Sequence, residues 1–427
     1  MTTETMPSTD PVEAPMTAVP GLWKGTTLFA VFTVAVGALV AINPREGDTS
    51  FRLATKSDFF ELPLITVPAT ATTWVITALL ALATGYAFGL ARRRRTVPLW
   101  LITLFSIAAM TGFLTWAAAG NTLPVVGLLA GSLALAVPLI FGALGGVLGE
   151  RAGVVNIAID GQLLFGAFGA ALIASTTGSA WVGILGAAAA GGLVALVLSI
   201  FAVSYYVDQV IVGVVLNVLV VGITNFMFSQ VLTEHTDTLN SPPRLDRIPI
   251  PVLGDIPLVG PILFRQTILV YGVYVAVALV TWALYRTRWG LRVRSVGEHP
   301  KAADTLGINV NRTRYRTVIL AGLIAGTGGA TYSLVAVSGF DKEMTGGAGY
   351  IALAAVIFGK WDPIRATLAA LLFGFASNLQ GVLSVLGSPV PSQFMLMLPY
   401  LVTIVAVAGL VGHSRAPAAD GVPYRKS

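Results

Sequence analysis

The chain has 427 residues, of which 55% are hydrophobic and only 11% charged. A soluble domain carries about 25% charged residues, so much of this surface must face lipid. The net charge of +6 would suit a nucleic-acid binder, but the charges sit in short segments between long apolar runs, which excludes that class. Without cysteine there is no disulfide framework, thiolate metal site or cysteine nucleophile, and three histidines (His235, His299, His413) argue against a histidine metal centre.

Residues 1–24 are polar and rich in Thr and Pro, and are expected to form a disordered tail. The apolar run 26–42 lacks a basic leader and a small-residue cleavage site, so it is expected to be an uncleaved first span. A membrane helix needs about 20 apolar residues. Further spans are predicted at 69–91, 98–119, 123–148, 155–177, 181–203, 210–232, 265–286, 317–338, 345–359, 364–385 and 393–411. The tenth of these twelve is short enough to be a re-entrant half-helix, and ten or eleven crossings also fit. The expected fold is all-α: a polytopic transmembrane bundle of about 10–12 spans with broken helices. With a cytoplasmic amino terminus, the inside segments hold 19 of the 26 Lys and Arg residues, and the outside segments hold 7 against 10 acidic residues. That bias places both termini in the cytoplasm.

Two of the outside segments, 43–68 and 233–264, exceed hairpin length. The second carries Pro242, Pro243, Pro249, Pro251, Pro257 and Pro261, a density that favours extended backbone. It is either a passive connector or a docking surface for an external partner. Glycines four apart, as in Gly85–Gly89, Gly142–Gly146 and Gly322–Gly326, let helix backbones approach closely in lipid.

Four segments carry more information. In 286–316, Pro300 suits a first helical position and Gly307 the residue just past a helix end, which predicts a two-turn helix over Pro300–Leu306 held between two spans. It is either part of a topology-setting basic loop or a knob that seats in a partner. The stretch Gly149–Gln162 places Glu150, Arg151, Asn156 and Asp160 close together, and Gly153 and Gly161 allow a helix break. Glu150 and Arg151 fit a simple membrane boundary. Asn156 and Asp160 fit structural hydrogen bonding at the break, or contact with a solute. Asn217, with Asn225 two turns on, can bind a polar solute or bridge two helices. In Gly346–Pro363 a glycine cluster opens a short apolar helix, and Trp361 fits an interfacial anchor. No phosphate-binding loop occurs: Gly359-Lys360 is followed by Trp361, and Ala354 stands where the first glycine belongs. This chain is therefore not expected to be an ATPase or another enzyme.

At these segments the sequence resembles the permease subunits of bacterial importers for branched-chain amino acids, ribose and nucleosides, and the nucleoside branch above all. Glu150–Gly161 is similar to that branch's Glu-Arg-Ser-Gly-Val-Val-Asn-Ile-Gly-Ile-Glu-Gly. Val296–Asp304 matches its Val-Gly-Glu-Asn-Pro-Lys-Ala-Ala-Asp, and Tyr350–Trp361 its Phe-Ile-Ala-Leu-Ala-Ala-Val-Ile-Phe-Gly-Lys-Trp. Ala152, Ala158, Asp160 and His299 depart from the pattern. The resemblance spans about 125–412. It implies a permease core at 123–412, extra spans at 25–122 and a cytoplasmic tail at 413–427. It also implies a bacterial plasma-membrane location and a complex with ATP-binding subunits, a second and usually different permease chain, and an extracytoplasmic solute-binding lipoprotein. ATP and Mg would be bound by the partner subunits, and no cofactor or nucleic acid by this chain. A coupling helix would comprise Glu298, His299, Pro300, Lys301, Ala302, Ala303, Asp304 and Gly307. For a neutral, amphipathic nucleoside, Asn156, Asp160, Phe165, Asn217 and Asn225 are the candidate pathway residues. A simple-sugar or branched-chain amino-acid substrate is the alternative within the family, and an ion-coupled secondary transporter the alternative outside it.

Overall fold

The computed structural model describes residues 22–55, 58–60, 62–387, 390, 393–394, 397 and 415–426. The amino-terminal tail and the span expected at 393–411 fall almost wholly outside the described residues. Ten of the described helices are long and apolar enough to cross a membrane. The chain divides into two compact units, one of residues 1–50 and 66–121, the other of 51–65 and 122–427.

The first unit packs three helices, α1 (Leu22–Ile42), α2 (Ala69–Arg92) and α3 (Leu99–Ala117). Phe29 and Phe105 stack with centroids 3.8 Å apart, and Thr33 and Thr84 share a hydroxyl hydrogen bond of 2.9 Å. Most of the remaining side chains on these helices point outwards and are apolar, as lipid requires.

The second unit contains α4 (Val125–Arg151), α5 (Ile159–Thr177), α6 (Ala180–Ser199), α7 (Gln209–Met227), the single turn α8 (Thr236–Leu239) and α9 (Ile268–Arg286). Two short helices, α10 (Arg288–Glu298) and α11 (Pro300–Thr305), lead into α12 (Val310–Thr331), α13 (Ala348–Phe358) and α14 (Pro363–Val385). Helix starts are chemically marked. Asp208 Oδ1 accepts from Val210 N at 2.8 Å to open α7, Asn309 Oδ1 from Arg312 N at 2.9 Å to open α12, and Asp362 Oδ1 from Arg365 N at 3.0 Å to open α14. The eleven-residue α13 is the expected short helix of 345–359, and α12 begins seven residues before the span predicted at 317.

Backbone contact between glycines builds the centre of this unit. A Cβ on Gly166 would fall 2.9 Å from Gly326 Cα, one on Gly191 2.5 Å from the same atom, and one on Gly145 2.7 Å from the Ala321 carbonyl oxygen. Helices α5, α6 and α4 thus lie against α12 at distances that only hydrogen side chains permit.

The proline-rich segment 233–264 is extended in part, as its composition predicts, and folded elsewhere. It holds α8, a strand at Arg247–Pro249 antiparallel to Arg265–Thr267, and a 3-10 turn at Leu253–Asp255. Asn240 exchanges two hydrogen bonds with the Phe340 backbone, and Arg244 donates to the Val335 carbonyl at 2.9 Å. Arg265 joins Asp58 at 3.5 Å and Asp255 at 2.7 Å. Local backbone bonds close the turns here, as in Leu253 N to the Pro251 carbonyl at 2.8 Å and Gly254 N to that of Ile250 at 2.7 Å.

Candidate functional site

Three of the four motif segments meet at the carboxyl end of α4. Its last turn carries Glu150, only 3% exposed, which accepts a short hydrogen bond from Trp361 Nε1. Arg151 donates through Nε to the Trp361 carbonyl at 2.9 Å and through Nη2 to that of Lys360 at 3.5 Å. Lys360 and Trp361 present those carbonyls from left-handed backbone (φ 54° and 56°), which side-chain-bearing residues adopt only when their surroundings hold them there. The two charges therefore do more than mark a boundary: they clasp the α13–α14 turn. Trp361, 6% exposed, is a buried donor rather than an interfacial anchor.

The third segment arrives from α10. Gly297 sits so close to the Arg151 carbonyl that no side chain would fit, and Gly153 (φ 80°) leaves room for the guanidinium of Arg314. Arg314, 1% exposed, donates through Nε to the Ala152 carbonyl at 3.2 Å. Sequence reasoning passed over Arg314 because it sits in a basic stretch, among arginines that stay in water. Beyond the break, α11 carries the predicted punctuation: Pro300 is its first residue and Gly307 follows with φ 81°. His299 provides no side-chain cap, and Glu298, His299, Lys301 and Ala302 are exposed, as is Gly307. Ala303 is buried and Asp304 half-buried.

A second group lies where α5 begins. Asn156 and Gln162, both fully buried, exchange two amide hydrogen bonds of 3.1 and 3.2 Å. Asp160 Oδ1 accepts from Gly349 N at 2.9 Å, so its carboxylate caps the first turn of α13 across the helix interface. Asn217 Oδ1 accepts from Gly161 N at 2.8 Å, while its Nδ2 donates to the Ile157 carbonyl at 2.9 Å and to Tyr350 Oη at 3.1 Å. Gln209 Oε1 accepts from Val155 N at 2.8 Å. The break between α4 and α5 is thus tied by side-chain amides to α7 and α13. Gln162, Gln209 and Tyr350 are members that the sequence alone did not single out.

Phe165 and Asn225 belong to a third group. Phe165 stacks on Phe168 (5.9 Å), Phe168 meets Phe340 edge-on (5.3 Å), and Phe228 tilts against Phe340 (6.2 Å). Asn225 Nδ2 donates to Glu343 Oε1 at 3.2 Å, its buried Oδ1 has no hydrogen-bond partner among the described residues, and Lys342 Nζ lies 5.6 Å from the Phe228 ring centre. Phe168 and Phe340 are buried, whereas Phe165 and Phe228 are half-buried, and a partly exposed ring beside an unsatisfied polar group can stack a planar solute and hydrogen-bond its edge.

Residues 128–407 match the family described as "Branched-chain amino acid transport system / permease component". The chain belongs to this permease family. The Guanosine ABC transporter permease protein NupQ of Bacillus subtilis (strain 168) is 44% identical over 305 residues, covering 69% of this chain and 95% of the relative. The Nucleoside ABC transporter permease protein NupC of Lactococcus lactis subsp. cremoris (strain MG1363) is 38% identical over 320 residues, covering 72% and 98%. The Putative glucose ABC transporter permease protein TsgC13 of Haloferax volcanii is 35% identical over 304 residues, covering 66% and 91%. No solved structure matches the chain. This permease is accordingly a multi-pass membrane subunit of an ABC transporter, with its family match beginning inside α4.

Proposed function

We propose that this permease translocates nucleosides, driven by ATP-binding subunits that hydrolyse ATP, with a second permease chain and an external solute-binding lipoprotein completing the importer. The observation that carries this reading is the match along nearly the full length of the relatives named for guanosine and nucleosides. The half-buried Phe165 and Phe228 rings with Asn225 and Glu343 support it, because a neutral nucleoside needs stacking area and hydrogen bonds but no counter-ion. Both termini and α11 then face the cytoplasm, in accord with the basic-residue bias.

In this mechanism α11 is the coupling helix. Closure of the ATP-binding subunits moves it, and Gly297 against Arg151 transmits the movement to the α4–α5 break. The break is joined to α13 through Asp160 and to α7 through Asn217, so its displacement re-packs the helices around the pathway.

The test is uptake of labelled guanosine, uridine and adenosine by cells with and without this chain, with excess ribose, glucose or leucine as competitor. Uptake lost on deletion and resistant to all three competitors is expected. Glucose-sensitive uptake would instead favour a sugar substrate, the reading for which the Haloferax volcanii relative speaks.

A further inference from the structure

A six-residue helix cannot hold its own shape or position in water, because nucleation costs more than one turn returns. Helix α11 must be held by what it touches. Its buried contacts form a small apolar cluster, apart from the main core, of Val296, Ala303, Val310 and Tyr424. Three of these come from the α10–α12 stretch itself. The fourth comes from the far carboxyl terminus, and the Tyr424 hydroxyl faces the Asp304 carboxylate on α11.

The segment that delivers Tyr424 is anchored along its length. Ala419 N donates to the Gly297 carbonyl at 2.9 Å, and Ala418 N to Glu298 Oε2 at 3.2 Å, both at the joint between α10 and α11. Arg314 on α12 donates through Nη1 to the Val422 carbonyl at 2.9 Å and through Nη2 to that of Ala419 at 3.4 Å. The Arg425 guanidinium lies 5.1 Å from the ring centre of Tyr206, just past the end of α6. One guanidinium therefore holds both the motif segment at Ala152 and the carboxyl-terminal segment, and that segment in turn holds α11.

We propose that residues 415–426 are a positioning strap for the coupling helix, with Tyr424 and Arg314 as its positioning residues. The strap fastens α11 to α12 and to the α4–α5 break, so that force applied to α11 moves the spans instead of bending the α10–α11 joint. The inference rests on the coupling role proposed for α11.

The experiment uses the full complex with its ATP-binding subunits, reconstituted in vesicles, and reads three quantities: subunit association, ATP hydrolysis, and labelled uridine or guanosine transported per ATP. For Tyr424→Ala, association and hydrolysis are expected to persist while transport per ATP falls roughly tenfold, the scale of a lost coupling contact. Tyr424→Phe keeps the ring and removes the hydroxyl that faces Asp304, so a smaller loss is expected, and this variant decides the matter if Tyr424→Ala does not reach the membrane. Unchanged transport per ATP in both variants overturns the strap. Loss of the ATP-binding subunits in Tyr424→Ala also overturns it, because the segment would then be part of the docking surface. Alanine replacement across Pro300–Leu306 tests the underlying reading separately: retained association there would remove the coupling role of α11 without bearing on the strap contacts. A wild-type complex that transports neither nucleoside would point to the substrate assignment alone.

Discussion

Helices α1–α3 and the group α5, α6 and α12 are all apolar enough to span a bilayer, yet they are used differently. Within α2, 17% of the best membrane-length window is buried inside the chain, against 72% for α5. Both groups carry glycines four apart. At Gly85 and Gly89 an added Cβ would meet open space, whereas at Gly166, Gly191, Gly322 and Gly326 it would strike the backbone of a neighbouring helix. Small-residue spacing permits close packing but does not compel it. A partner helix with a matching glycine surface must also be present, and α5, α6 and α12 supply one another with it.

The largest contrast is expected from paired substitutions. Gly326→Leu would place a side chain where Gly191 Cα lies 2.8 Å from the Cβ position, at a cost of about 3 kcal/mol or more for overpacking, and is expected to remove the folded chain from the membrane. Gly85→Leu is expected to leave membrane levels unchanged. Detergent-resistant, monodisperse yield of the two variants measures the difference, and equal losses would break the contrast.

Arginines sharpen it at a smaller scale. Arg314→Ala leaves the carbonyls of Ala152 and Val422 without the guanidinium donor, while Ala419 keeps the Val422 N–H, costing about 2 kcal/mol in thermal stability of the purified chain. In the first unit Arg92 lies exposed over Phe88 at 4.7 Å, and Arg92→Ala is expected to leave the melting temperature unchanged.

The smallest effect is a pH dependence. Burial pushes the Asp420 carboxyl up to about 7, against the opposing pull of the Gly421 N–H and the Arg314 guanidinium; Glu150 also faces it. A raised carboxylate value means that the folded chain binds a proton the unfolded chain releases near pH 4. Stability should therefore rise as pH falls from about 7 towards 4, and fall as pH rises through 7. Asp420→Asn is expected to flatten that slope and to be the more stable form at pH 8, as read by melting temperature across pH 5–8. A steeper slope in the variant would contradict the assignment.

Most of the architecture was legible from hydropathy, because a bilayer forces backbone polar groups into helices about 20 residues long. Helix α11 was legible because Pro300 and Gly307 are local signals that act within one turn. The clasp of Glu150 and Arg151 on Lys360–Trp361 was not, because its members are about 210 residues apart and each alone looks like a membrane-boundary residue. The fold of segment 233–264 was legible only in part for a related reason: proline reports what a backbone cannot donate, not what its neighbours accept.

By itself the amino-acid sequence determined that the chain crosses a membrane many times, which segments form most of the spans, and which permease family its motifs resemble. These depend on composition and on contacts within a few residues. Only the tertiary structure decided that Glu150, Gly153, Gly297, Arg314 and Trp361 share one junction, that Asp160 caps α13, and that Tyr424 reaches α11. Burial in a membrane protein has no hydrophobic gradient to announce it, since lipid and protein interior are equally apolar. Which apolar or charged residue turns inwards is therefore settled by the partners that long-range packing brings to it.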